Sequence, residues 1–223
     1  MTVAILPAGD AEASVWGTAL EVSGLLAGIP WVLVGAQMVM LLEREAGRPS
    51  GRTTGDVDAV IDVRALADGT GEAARRLVAA GFETADPRHP YRFSRGDAVV
   101  DLLAPDHLGP RADITTIPPA TTARPLAVDV VGGGSGVLPV PSLAGAIALK
   151  TRAWQARQAA RDAEDMVRLL ALVRDVEAVR AELRPVERRA LGRVRPLADP
   201  ANRAWRVSSD PEEAQAAFAR LAG

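Results

Sequence analysis

The segment Gly51-Arg52-Thr53-Thr54-Gly55-Asp56-Val57-Asp58-Ala59-Val60-Ile61 decides how this chain is read. A polar loop bounded by Gly51 and Gly55 gives way to an apolar run, so residues 57–63 read as a strand entered from a turn. Asp56 and Asp58 stand two apart at its start. The two-residue period of a strand sends both carboxylates to one face. Carboxylates held that close repel each other unless a cation lies between them. Carboxylate oxygens are also the ligands that hard divalent cations such as magnesium take.

Working outward, Ala98-Val99-Val100-Asp101-Leu102-Leu103 reads as another strand, interrupted by the single acid Asp101. A charge in so apolar a run is costly to bury without partners. Beside the first strand, Asp101 completes a three-carboxylate site, which can hold two ions about 3.5–4 Å apart for in-line phosphoryl chemistry. Upstream, the apolar run Trp31 to Val34 ends at Gly35, and a helix follows through Ala36, Gln37 and Met38 toward Gly47. A strand, a glycine and a helix N-terminus together make a possible phosphate seat, because the first N–H groups of a helix are free and its end is positive. Further helices are expected at 11–27 and 70–80, with a hairpin joining Tyr91–Ser94 to Ala98–Leu103. Pro118 and Pro119 mark a break, Leu126 to Val131 another strand, and Gly132 to Gly136 a flexible turn.

After Pro141 the pattern is helical throughout. Ser142 caps a helix to about Ala156, and others cover roughly 160–173, 175–194 and 211–221. Strands and helices mixed up to residue 140, then helices alone, imply an α+β architecture: domain 1–140 with a mixed sheet and flanking helices, and a helical C-terminal domain 141–223. Lys150 is the only lysine of the chain and falls on the apolar stripe of its helix. It reads either as a lysine snorkelling from the core edge or as a cation reaching toward triphosphate oxygens. Asp162 and Asp165 border the apolar stripe of the next helix, within reach of Arg157, Arg161 or Lys150.

Composition narrows the classes. The chain has 223 residues, a formal net charge of −2 and no cysteine. Disulfides, thiol catalysis and cysteine metal sites are excluded, and the global basic field usual for nucleic-acid binders is absent. No apolar run approaches the ~18 residues of a membrane span. The opening MTVAILPAGDAEAS lacks a basic region ahead of a long apolar stretch, so no signal peptide is expected and the cytoplasm is the expected location.

Taken in order, these residues resemble the nucleotidyltransferase fold of DNA polymerase β type, and most of all the AbiEii and MenT group of toxin-type enzymes. The likeness runs from about Trp31 to Leu170. It is carried by Val34-Gly35-Ala36, by Arg52-Thr53-Thr54-Gly55-Asp56-Val57-Asp58, by Arg92-Phe93 with Val100-Asp101-Leu102-Leu103, by Lys150, and by Arg161-Asp162-x-x-Asp165-Met166. Ala36 departs from the second Gly or Ser usual in the family. The resemblance implies that Asp56 and Asp58 hold two magnesium (or manganese) ions. It also implies that Asp101 helps with one ion and orients the attacking hydroxyl. Gly35, Ala36, Gln37 and Thr54 would line the nucleotide, and Lys150 would neutralise the triphosphate of an NTP, with Asp162 or Asp165 in support. The implied reaction is transfer of a nucleoside monophosphate to a hydroxyl. A tRNA 3′ end is the acceptor in the toxin-type group, whose members also suggest a cognate antitoxin. Arg44, Arg48, Arg52, Arg88, Arg92 and Arg95 are candidate phosphate contacts. The alternatives are transfer to a small molecule or protein hydroxyl, and a non-catalytic nucleotide-binding module of the same fold.

Overall fold

The computed structural model describes residues 2–63, 65–86, 89–103 and 123–223. The expected break at Pro118 and Pro119, and the candidate Arg88, lie outside the described residues. The chain divides into two compact units. One is formed by Met1–Met38 with Gly51–Pro141, the other by Val39–Ser50 with Ser142–Gly223.

The first unit carries eight described strands: β1 (Thr2–Ile5), β2 (Trp31–Leu33), β3 (Val57–Ile61), β4 (Glu83–Asp86), β5 (His89–Arg95), β6 (Ala98–Leu103), β7 (Arg124–Val130) and β8 (Gly134–Val140). They form two mixed sheets, one ordered β1-β7-β8 and the other β2-β3-β6-β5-β4. Helix α1 (Asp10–Leu25) packs on both sheets, most closely on β8, and α3 (Gly69–Ala79) packs on the larger sheet. In the larger sheet, β3 and β6 run parallel with Asp58 opposite Asp101, and β5 returns antiparallel with Arg92 opposite Asp101. Alternation then sorts the side chains. Val57, Ala59, Ile61, Val100 and Leu102 are buried in the core, while Asp58 and Asp101, one residue out of phase, sit half-buried on the other face.

Helix α2 (Gly35–Glu45) begins in the first unit, and from Val39 onward its residues belong to the second. Met40, Leu41 and Leu42 are buried there. Buried Glu43 accepts a hydrogen bond from Ser50 Oγ at 2.6 Å and one from Arg168 Nη1 at 3.3 Å. The rest of the second unit is helical: α4 (Leu143–Arg157), α5 (Ala160–Leu170), α6 (Val176–Glu182), α7 (Pro185–Leu191), α8 (Arg195–Ala198), a 3-10 turn at Arg203–Val207, and α9 (Pro211–Ala222). Its core gathers on α5, whose Ala163, Met166, Val167, Leu169 and Leu170 are buried, and which packs on α4, α8, α9 and the 3-10 turn.

The expected α+β class is thus what the chain adopts. Two strands have no counterpart in the sequence reading, and one reading needs correction. The opening residues form strand β1, paired in parallel with β7. Glu83–Asp86 form β4 at the sheet edge. The glycine-rich segment expected to be a flexible turn is mostly strand, since β8 begins at Gly134 and pairs along its length with β7. Glycines lack the side chain that marks a strand in sequence, so a ladder held by backbone hydrogen bonds was hidden there. Ser142 caps α4 as expected, its Oγ accepting from the Gly145 N–H at 3.2 Å. Ser142→Ala should lower unfolding stability by about 1 kcal/mol in chemical denaturation, the usual value of an N-cap hydroxyl.

Candidate active site

Asp58, Asp101 and Arg92 form a row across β3, β6 and β5, set by the strand registers. Directly opposed residues on neighbouring strands share a face and touch. Asp56, two residues before Asp58, extends the row along the strand direction. One carboxylate oxygen from each of Asp56, Asp58 and Asp101 lies within 4.8 Å of the other two. The three acids proposed from sequence are therefore brought together, each partly open to solvent. An all-oxygen, all-carboxylate donor set at this spacing suits magnesium or manganese.

Two neighbours hold the acids. The Thr54 hydroxyl donates to Asp56 Oδ1 at 2.6 Å, so this loop threonine orients a carboxylate. Arg92 Nη1 donates to Asp101 Oδ2 at 2.8 Å, and its Nη2 lies 3.8 Å from Asp56 Oδ2. The hairpin explains the first contact. Arg95 and Ala98 close a two-residue loop at Gly96-Asp97, with Gly96 at a φ of +58°, and counting back places Arg92 against Asp101. Sequence reading treated Arg92 as one of several phosphate contacts. Its spacing about the turn was the signal that it belongs with the acids.

Gly35 meets the row from β2. The Val34 N–H donates to the Asp58 carbonyl at 2.9 Å, continuing the β2–β3 pairing up to the helix. Gly35 then turns the chain at a φ of +69°, and a Cβ there would fall 1.8 Å from Asp58 Oδ2. Only glycine tolerates both the backbone angle and the carboxylate. Asp58 thus lies at the start of α2, whose own first turn has no acid. The helix end and the carboxylate attract each other. Gln37 is buried, and its Nε2 donates to the Val15 carbonyl at 3.2 Å, so its side chain ties α2 to α1. Ala36 is buried beside it.

In the second unit, Lys150, Asp162 and Asp165 come together with one another. The Lys150 side chain is only 6% exposed, which removes the snorkelling reading; its Nζ lies 2.7 Å from Asp165 Oδ2 and 3.9 Å from Asp162 Oδ1. Asp162 also takes Arg157 Nη2 at 2.9 Å on Oδ1. Two cations face two buried acids, a balanced cluster, as burial of charge requires. Of the other candidate arginines, Arg95 is committed elsewhere. It donates to Glu21 Oε1 and to the Ala80 carbonyl, both at 2.8 Å, and covers the Phe82 ring at 4.3 Å. The hydrogen bond to Glu21 raises its pKa further. Arg48 lies 4.0 Å from Glu213, and Arg52 donates to the Thr53 carbonyl at 2.8 Å.

No family model and no curated protein matches the chain. A solved structure does. The crystal structure of ANT(2″)-Ia, an aminoglycoside nucleotidyltransferase, in complex with adenylyl-2″-tobramycin is similar over 77% of this chain and 94% of that one, with a TM-score of 0.50 and 14% identity. The fold resembles that of this aminoglycoside nucleotidyltransferase. At this identity the likeness extends to the fold alone, and among the described residues no helix is long and apolar enough to cross a membrane.

Two substitutions test this geometry. Gly35→Ala, which at a compatible site would stabilise by about 0.4–1 kcal/mol, should here destabilise by more than that amount, and should weaken manganese binding by moving Asp58, read by denaturation and by manganese titration. Lys150→Met, which strands a buried carboxylate, should cost about 3–5 kcal/mol, and Lys150→Met with Asp165→Leu should recover most of it.

Proposed function

We propose that the chain is a magnesium- or manganese-dependent nucleotidyltransferase that moves a nucleoside monophosphate from an NTP to an acceptor hydroxyl. The observation that carries this reading is the row Asp58-Asp101 with Asp56, three carboxylates within 4.8 Å beside the N-terminus of α2 in a nucleotidyltransferase fold. Bound by these acids, divalent ions would supply acidity for the acceptor hydroxyl and charge for the triphosphate. Asp56 and Asp58 would hold both ions, and Asp101 one ion and the attacking hydroxyl. Thr54 keeps Asp56 turned toward the others. The turn at Gly35 and Ala36 would receive phosphate oxygens on backbone N–H groups. The acceptor oxygen forms a bond to the α-phosphorus as its proton leaves to water. The bond from that phosphorus to the bridging oxygen breaks, and pyrophosphate departs with the electron pair. Positioning and charge stabilisation account for the rate.

Lys150 enters this proposal with a condition. Reaching a triphosphate would require it to leave the 2.7 Å pair with Asp165, so its first role is to neutralise Asp162 and Asp165. For the acceptor, two readings have separate support. The sequence resemblance to toxin-type enzymes favours an RNA 3′ end, with an antitoxin as partner. The complex of ANT(2″)-Ia with adenylyl-2″-tobramycin favours a small hydroxylated molecule. The net charge of −2 and the pairing of Arg92 and Arg95 with acids weigh toward the small molecule.

Pyrophosphate release should be followed with labelled NTPs, plus and minus magnesium, offering total tRNA in one series and aminoglycosides in another. Metal-dependent labelling that disappears in Asp56→Ala and Asp58→Asn variants of intact fold is expected, and the labelled species names the acceptor class. Undiminished turnover in Asp58→Asn overturns the assignment of the site.

A further inference from the structure

Arg92 is the one side chain of the site whose place among the acids the reaction itself does not explain. Its guanidinium spans the two carboxylates that an ion would have to bring together, 2.8 Å from Asp101 Oδ2 and 3.8 Å from Asp56 Oδ2. An ion held by these acids would compete with the guanidinium for carboxylates that it already engages. We propose that Arg92 is a built-in counter-cation of the triad: it holds the acids together before the ion arrives, and the ion must displace it to bind. This inference rests on the reading of Asp56, Asp58 and Asp101 as a divalent site.

Three features support displacement over a fixed contact. The first is access. The Arg92 side chain is 42% exposed, so its long stem can swing toward solvent without unpacking the core. The second is electrostatic. Two positive charges on a common pair of carboxylates repel, and the monovalent, more weakly hydrogen-bonded partner gives way to the divalent one. The third is a contrast within β5. Arg95, three residues further on, has its own partner in Glu21, whereas Arg92 borrows both of its partners from the proposed ion site. Once released, a guanidinium at the edge of the triad faces the place where triphosphate oxygens are expected, and its planar fork suits them. The same arginine would then serve the empty site as counter-ion and the loaded site as a hydrogen-bond donor to phosphate oxygens.

Manganese binding to the purified full-length protein without nucleotide, followed by electron paramagnetic resonance, tests this directly. Arg92→Ala and Arg92→Gln should bind manganese more tightly than the unaltered protein by roughly two- to fivefold, the fold-change equivalent of a partly exposed ion pair. Without ion their melting temperatures should fall, and the rise on adding manganese should be larger than for the unaltered protein. Arg92→Lys, which keeps the charge but not the fork, should fall between. Unchanged or weaker manganese binding in both Arg92→Ala and Arg92→Gln overturns the proposal, because Arg92 would then be orienting Asp101 for the ion. Asp58→Asn separates this from the underlying reading. If that variant binds manganese as the unaltered protein does, the triad is not the ion site and both inferences fall. If it loses binding while the Arg92 variants show no gain, only the counter-cation role fails.

Discussion

Repulsion among three carboxylates is the constraint around which the first unit is arranged. Charges about 4–5 Å apart repel by roughly 3–4 kcal/mol at an effective dielectric near 20. Something must hold them there. The backbone does most of it: Asp58 and Asp101 face each other because β3 and β6 pair in parallel at that register. A slip of one residue would send every side chain of a strand to the other face, putting Asp58 into the core and Val57 out of it. Burial of Val57, Ala59, Ile61, Val100 and Leu102 therefore forces the acids into proximity. The core supplies the work of assembling the site. Glycine at position 35 and the helix end behind it follow from the same need, since Asp58 requires both room and a positive neighbour.

The helical unit solves a related problem with a different outcome. Asp162, Asp165 and Glu43 are buried there, so each must be neutralised within the unit. Lys150 and Arg157 do this for Asp165 and Asp162, and Arg168 does it for Glu43. The last pair also fastens the Val39–Ser50 segment, far away in sequence, to α5. Residues that read from the sequence as a triphosphate-binding group thus have demands of their own, and any role beyond neutralisation must overcome a close ion pair.

How much of this was legible follows from the range of each signal. The strand from Val57, the lone acid in β6, the glycine turn before α2 and the Ser142 cap are local patterns, and the structure has each of them. The helical half was legible because α5 has a sharp apolar stripe. Parallel pairing of β3 with β6 leaves no local trace, as the crossover between them fixes no count, so the register Asp58 to Asp101 was inferred as a possibility only. The partnership of Arg92 with Asp101 could have been counted from the tight turn at Gly96 and was passed over because arginine is the default cation of this chain. Strands β1 and β4 were missed for being short and at the edge of their sheets, and β8 for its glycines.

Charge balance is what separates a structural cluster from one made for a ligand. In the helical unit, Lys150 and Arg157 meet Asp165 and Asp162, cation against acid. In the sheet unit, the Arg92 guanidinium lies against Asp101 and Asp56, and a third carboxylate, Asp58, shares the cluster. A purely structural ion pair between β5 and β6 needs Asp101 alone; Asp56 and Asp58 would only add repulsion, and Gly35 would have no cause to make room for a carboxylate. Carboxylates gathered this closely, partly open to solvent and next to a helix N-terminus, suit counter-ions that come and go, and that is the condition a metal site must meet if its ions are to enter with each nucleotide.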